Sequence, residues 1–155
     1  MHNGQVGGYD SFRRDADMMI PDALYPQRKG ATDSEALFLV ALAEGLEHDP
    51  RGALERAAAR FIRLARKKGT APHLRMTAAL SDGERLYAVR YATDAAAPSL
   101  YHRWSDTRGG MAVVSEPLEA DEEGWIEVPS SSFCTFDGQT ALLEEFLPCR
   151  LAAAA

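Results

Sequence analysis

Cysteine is scarce in this 155-residue chain: Cys134 and Cys149 are the only two. They form neither a disulfide framework nor a zinc-ligand spacing, so a disulfide-stapled secreted scaffold and a zinc ribbon are both excluded. No run of about 18 apolar residues occurs, which removes a membrane-spanning helix. The first residues carry no basic stretch followed by an apolar one, the mark of a secretory signal. With no export signal, both thiols are expected reduced, in the cytoplasm. Positive charge is also short. The net charge of −6 argues against a general nucleic-acid binder, whose affinity comes from neutralised phosphates.

What remains is ordinary globular material, 46% hydrophobic and 26% charged, with length for one domain and a real core. Residues 9–20 read as a short helix capped by Asp10 or Ser11, with Phe12, Ala16 and Met19 on one face and Pro21 as its stop. Residues 21–31 read as a polar loop. Thr32-Asp33-Ser34-Glu35 is a capping-box pattern, and Ala36 to Leu42 follow with hardly a polar break, which predicts a buried helix. A second helix is expected from Pro50 to Lys68, closed by Gly69. Its basic residues, Arg56 to Lys68, read as a solvated face, with a nucleic-acid or acidic-partner surface as the alternative.

The pattern then changes to period 2. Strands are expected at 73–80, 85–93, 99–104 and 110–115, with a short extended piece at 125–129 and a last hairpin at 133–136 and 140–147. Asp82-Gly83 and Asp137-Gly138 are hairpin turns. Residues 118–124 form an acidic loop and the alanine tail frays. Helices first and strands after, without βαβ alternation, give an α+β class with antiparallel sheets.

Three short stretches could carry chemistry. In His2-Asn3-Gly4, an amide N–H and the exposed backbone N–H of glycine are the parts of an oxyanion hole, though a plain strand-to-turn junction reads the same way. Asp33 could receive an ammonium group, or simply favour the helix dipole. Ser115-Glu116-Pro117 ends an apolar strand, where a proline stop is explanation enough.

Taken together and in order, these stretches resemble the class II glutamine amidotransferases, a branch of the N-terminal-nucleophile hydrolases. The matching residues are His2 to Val6, Thr32 to Phe38, Gly83 to Tyr91, Pro98 to Tyr101, Val113 to Leu118 and Trp125 to Pro129. The subgroup most similar is the stand-alone glutaminase-type bacterial proteins, with relatives that act on γ-glutamyl amides in thiol biosynthesis. The resemblance implies a four-layer αββα sandwich of two antiparallel sheets between helices. It implies hydrolysis of the side-chain amide of glutamine, or of a γ-glutamyl compound, through a cysteine thioester, without metal or organic cofactor. By the family pattern Asn3 and Gly4 hold the oxyanion and Asp33 binds the substrate's α-ammonium. His2, Ser115 and Glu116 shape the wall of the site.

The family's nucleophilic cysteine and its carboxylate-gripping arginine lie upstream of the His-Asn-Gly motif. The expectation is therefore a partial type 2 domain over residues 1–150, lacking its first strands, with a frayed tail at 151–155. It binds a small molecule, no nucleic acid and no membrane, associates through open strand edges, and does not turn over. A non-catalytic amino-acid-binding or regulatory module on the same fold is the alternative.

Overall fold

The computed structural model describes residues 1–117 and 124–148. The acidic loop at 118–123, Cys149 and the alanine tail lie outside the described residues. The chain divides into two compact units, Met1–Gly4 with Arg75–Phe146, and Gln5–Leu74 with Leu147 and Pro148.

The first unit is antiparallel sheet. A five-stranded sheet has the order β1-β2-β3-β7-β8, from β1 (His2–Gln5), β2 (Arg75–Ser81), β3 (Leu86–Ala92), β7 (Ser132–Asp137) and β8 (Thr140–Glu145). A three-stranded sheet joins β4 (Tyr101–Ser105), β5 (Gly110–Val114) and β6 (Ile126–Glu127) in the order β5-β4-β6. The β2–β3 hairpin pairs Ser81 with Leu86 across the Asp82-Gly83 turn, and β7–β8 pairs Asp137 with Thr140 across Gly138. Both turns fall where the Asp-Gly signals put them.

Strand β3 departs from simple in–out alternation, because it is buried on both faces. Ala88 joins Leu100, Val128, Cys134 and Phe136 in one apolar cluster, with Met111 and Val113 packed against it. On the other face Tyr87 stacks on Phe133, and Tyr91 meets Phe146 edge-on. Strand β2 starts at Arg75 rather than at His73, because His73 is tied back into a turn, its Nδ1 2.7 Å from the Thr70 carbonyl.

The second unit is helical: α1 (Tyr9–Asp17), α2 (Asp33–Ala43) and α3 (Pro50–Lys68), with a 3-10 turn at Tyr25–Gln27 inside the expected loop. Helix α3 has the predicted limits. Asp49 caps it by accepting from Gly52 N–H at 3.0 Å, and Gly69 closes it in the left-handed conformation that only glycine adopts without strain. Ala53, Leu54, Ala57, Ala58, Phe61, Ile62 and Ala65 are all buried.

Helix α1 is shorter than expected. Gly8 stands at its N-cap, because the Ser11 hydroxyl donates to the Gly8 carbonyl instead of capping an N–H. Helix α2 is not buried all round, since Phe38 is 47% exposed. Its capping box is half made. Thr32 Oγ1 accepts from Glu35 N–H at 3.3 Å, but the Glu35 carboxylate accepts from Lys29 and Gly30 N–H instead of reaching back to Thr32.

Candidate functional site

The His-Asn-Gly stretch lies on β1, at one end of the five-stranded sheet. Met1 N donates to the Ala79 carbonyl at 2.8 Å and Ala79 N–H returns the bond to Met1 at 3.0 Å. His2 is half-buried; Asn3 and Gly4 are exposed. Gly4 has a strict steric reason to be glycine, because a Cβ there would stand 2.1 Å from the Arg75 carbonyl oxygen. Close backbone packing thus explains the glycine and also leaves its N–H unshielded by a side chain.

Asp33 belongs to the helical unit, at the first turn of α2, and is half-buried. Its Oδ2 accepts from Val6 N–H at 2.7 Å. Its Oδ1 accepts from Ser34 N–H at 2.7 Å and from the Ser34 hydroxyl at 3.3 Å. A carboxylate has about four acceptor positions, so this one is fixed in orientation and still has capacity for a ligand donor. It lines a cleft of about 600 Å³ with Val6, Gly8, Tyr9, Ser11 and Thr32.

Behind this cleft sits a group that sequence reasoning passed over. Arg28 lies in the polar loop, yet its side chain is only 5% exposed. The guanidinium donates to Asp17 Oδ1 at 3.1 Å, Glu35 Oε2 at 2.7 Å, the Thr32 carbonyl at 2.9 Å and the Tyr9 hydroxyl at 2.9 Å. Burial pushes the Tyr9 hydroxyl up to about 12, against the opposing pull of the Arg28 charge. The Lys29 and Gly30 amide bonds, together with Arg28, hold Glu35 below the usual carboxylate range. The available signal was an arginine next to the Thr-Asp-Ser-Glu cap, but nothing in the loop's pattern marks it as buried.

Ser115 and Glu116 follow β5. Glu116 lines a separate cleft of about 400 Å³ with Ser99, Tyr101, Pro117 and Trp125. Arg103 lies over the Trp125 ring, 4.6 Å from its centroid. Cys134, in the middle of β7, is 3% exposed, and burial pushes its thiol up to about 11. A thiol that resists ionisation is a poor nucleophile. On α3, Arg56 and Arg60 both bond Glu44 and Lys68 bonds Asp15, so much of the basic face is paired within the unit. Among the described residues no helix is long and apolar enough to cross a membrane, and no cluster of three His, Cys, Asp or Glu could hold a metal.

No protein-family model matches the chain. Among solved structures it is similar to a glutamine aminotransferase class-II domain protein from Silicibacter pomeroyi, with 57% identity and a TM-score of 0.91. That match covers 96% of this chain and 66% of the other. The chain belongs to the class II glutamine amidotransferase family. A curated relative within it is the probable glutamine amidotransferase DUG3 of Saccharomyces cerevisiae, 29% identical over 186 residues. The amidotransferase match covers 95% of this chain and 52% of the yeast protein, so the chain spans about half the length of that relative. The α+β class with antiparallel sheets expected from the order of helices and strands is the one observed.

Proposed function

We propose that this chain carries the oxyanion donors and the substrate-ammonium acceptor of a glutaminase-type amide hydrolysis. In this reading a cysteine thiolate attacks the side-chain carbonyl of glutamine or of a γ-glutamyl amide. The tetrahedral oxyanion is held by the Asn3 side-chain N–H and the Gly4 backbone N–H. The C–N bond breaks, ammonia or an amine leaves with a proton, and water cleaves the γ-glutamyl thioester. Asp33 receives the substrate's α-ammonium. His2, Ser115 and Glu116 serve as walls.

One observation supports this reading best: Asp33 Oδ2 is bonded to the amide of Val6, two residues beyond Gly4 in the chain. The carboxylate's orientation is thereby tied to the segment that continues the His-Asn-Gly motif. Cys134 is not the nucleophile, because it is buried in β7 with its thiol held protonated. The reaction takes place in a reducing cytoplasm, in keeping with the free thiol of Cys134. Association through sheet edges belongs to the same reading, since Leu142 and Leu143 on edge strand β8 are 56% and 52% exposed.

Calorimetry with L-glutamine, run beside an ammonia-release assay on residues 1–155, tests the proposal. The expected result is binding that weakens at least about tenfold in Asp33→Asn, the scale of one charge-assisted contact, without ammonia release. Binding unchanged by that substitution overturns the assignment of Asp33. Ammonia release abolished by Cys134→Ala overturns the exclusion of Cys134.

A further inference from the structure

Arg28 does not touch Asp33, but it touches what surrounds Asp33. The Thr32 carbonyl, which it holds at 2.9 Å, belongs to the residue immediately before Asp33. Glu35, held at 2.7 Å, lies in the same first turn of α2. The Tyr9 hydroxyl, held at 2.9 Å, belongs to another residue of the cleft lining. Asp17, at 3.1 Å, completes the set from the far end of α1. Glu35 then accepts from Lys29 and Gly30 N–H at 2.6 and 2.8 Å, so the loop between Arg28 and α2 is closed on itself.

We propose that Arg28 is a positioning residue for the Asp33 cleft. Its planar fork ties the start of α1 to the start of α2, and so fixes where the Asp33 carboxylate stands relative to the Val6 amide. The geometry requires an arginine. A lysine keeps the charge and can pair with Asp17 or Glu35, but a single ammonium cannot span a tyrosine hydroxyl, a backbone carbonyl and two carboxylates. Arg28→Lys therefore separates positioning from charge. The proposal rests on the reading of Asp33 as the ammonium acceptor for its meaning, but not for its test.

The test is amide hydrogen exchange by NMR on residues 1–155, read at Val6, whose N–H bonds Asp33. Amides of Ala57 to Ile62 in α3 serve as the internal control. Arg28→Lys is expected to raise Val6 exchange about tenfold, the scale of one charge-assisted hydrogen bond, while the α3 amides keep their protection. Val6 exchange within twofold of wild type overturns the proposal. Should α3 lose protection as well, Glu35→Gln decides. It keeps the side chain's shape and weakens the Arg28 contact, and a rise of about threefold at Val6 is expected; no change overturns the proposal. L-glutamine titrated into the same samples separates the two ideas. Wild-type protein that fails to bind it removes the assignment of Asp33 as ammonium acceptor, and leaves the exchange result at Val6 to decide the role of Arg28.

Discussion

Two clusters in this chain use the same residue types to opposite effect. In the helical unit, Arg28, Asp17, Glu35 and Tyr9 meet around a guanidinium that is 5% exposed. In the sheet unit, Arg85, Asp137, Asp82 and Tyr87 meet around a hairpin where the Arg85 side chain is 51% exposed and that of Asp137 66%. The first joins segments 19 residues apart in sequence, from Tyr9 to Arg28, and closes a loop. In the second, Asp82 closes its own turn by accepting from Glu84 and Arg85 N–H at 2.9 and 2.7 Å. The same kind of ion pair is thus a buried tie in one place and, in the other, an exposed pair between the β2–β3 turn and the end of β7. Burial decides which, not span, since the exposed Arg85–Asp137 pair crosses 52 residues and the buried Arg28–Asp17 pair only 11.

The contrast breaks most readily on the arginines. Arg28→Ala leaves Asp17 and Glu35 facing a vacated site and Tyr9 without its donor. Removing one partner of a buried charge pair costs about 3 kcal/mol or more, and that loss is expected in urea unfolding followed by helical circular dichroism. Arg85→Ala should cost about 0.5 kcal/mol or less, as for other exposed pairs. Equal losses for the two variants would remove the distinction.

The same difference sets what the sequence made legible. Asp82-Gly83 and Asp137-Gly138 marked their hairpins because the turn chemistry is local, and α3 showed both its ends through Asp49-Pro50 and Gly69. The Thr32 cap was legible for the same reason. Arg28 was not, because its partners Tyr9 and Asp17 come from a helix whose position no local pattern predicts. Glu35 misled in a related way: the capping box puts its carboxylate on Thr32, while folding offers it Arg28 and the Lys29 and Gly30 amides. In the candidate site, Asp33 and the His-Asn-Gly stretch stood out by composition. The hydrogen bond from Val6 to Asp33 did not, since it spans 27 residues.

Glycines sharpen the comparison between local and non-local constraint. Gly4 is confined by another strand, where a Cβ would meet the Arg75 carbonyl at 2.1 Å. Gly83 is confined only by its own backbone, at φ +96° with open space around it. Gly4→Ala is expected to cost about 2 kcal/mol as overpacking against rigid backbone. Gly83→Ala should cost about 1 kcal/mol, the penalty for a side chain in the left-handed region. Thermal unfolding of both variants ranks them; the reverse order would show that β1 yields easily to a methyl group.

The two clusters should also answer at opposite ends of the pH scale. Tyr9, pushed up to about 12 by burial, binds its proton more tightly folded than unfolded. Its contribution is complete below the ordinary tyrosine value of about 10 and is lost as pH rises towards 12. Asp82 is held down to about 2 by the Arg85 amide and the Tyr87 hydroxyl. Its contribution is complete above the ordinary aspartate value of about 4 and is lost as pH falls towards 2. Tyr9→Phe should therefore flatten the alkaline limb of a plot of Tm against pH, and Asp82→Asn the acid limb. A Tyr9→Phe variant with an unchanged alkaline limb would show that the Arg28 cluster does not bury that hydroxyl.

A small effect is also expected of Tyr87→Phe. Tyr87 is 6% exposed and stacks on Phe133, so most of what it contributes is ring burial, which phenylalanine keeps. What is lost is one hydrogen bond from its hydroxyl to Asp82 Oδ2 at 2.7 Å. Asp82 is still held by the Glu84 and Arg85 amides, and its freed oxygen turns to water at no great cost. A loss of about 0.5 to 1 kcal/mol is expected in urea unfolding, the net worth of a single such bond. The matching Tyr9→Phe variant should cost more, because the donor it strips of a partner is a guanidinium only 5% exposed. Measured side by side at neutral pH, the two tyrosines isolate the effect of burial with the chemistry of the deletion held constant. A loss at Tyr87 equal to or larger than that at Tyr9 would mean that the hairpin, despite its exposed ion pair, is the more tightly coupled of the two clusters.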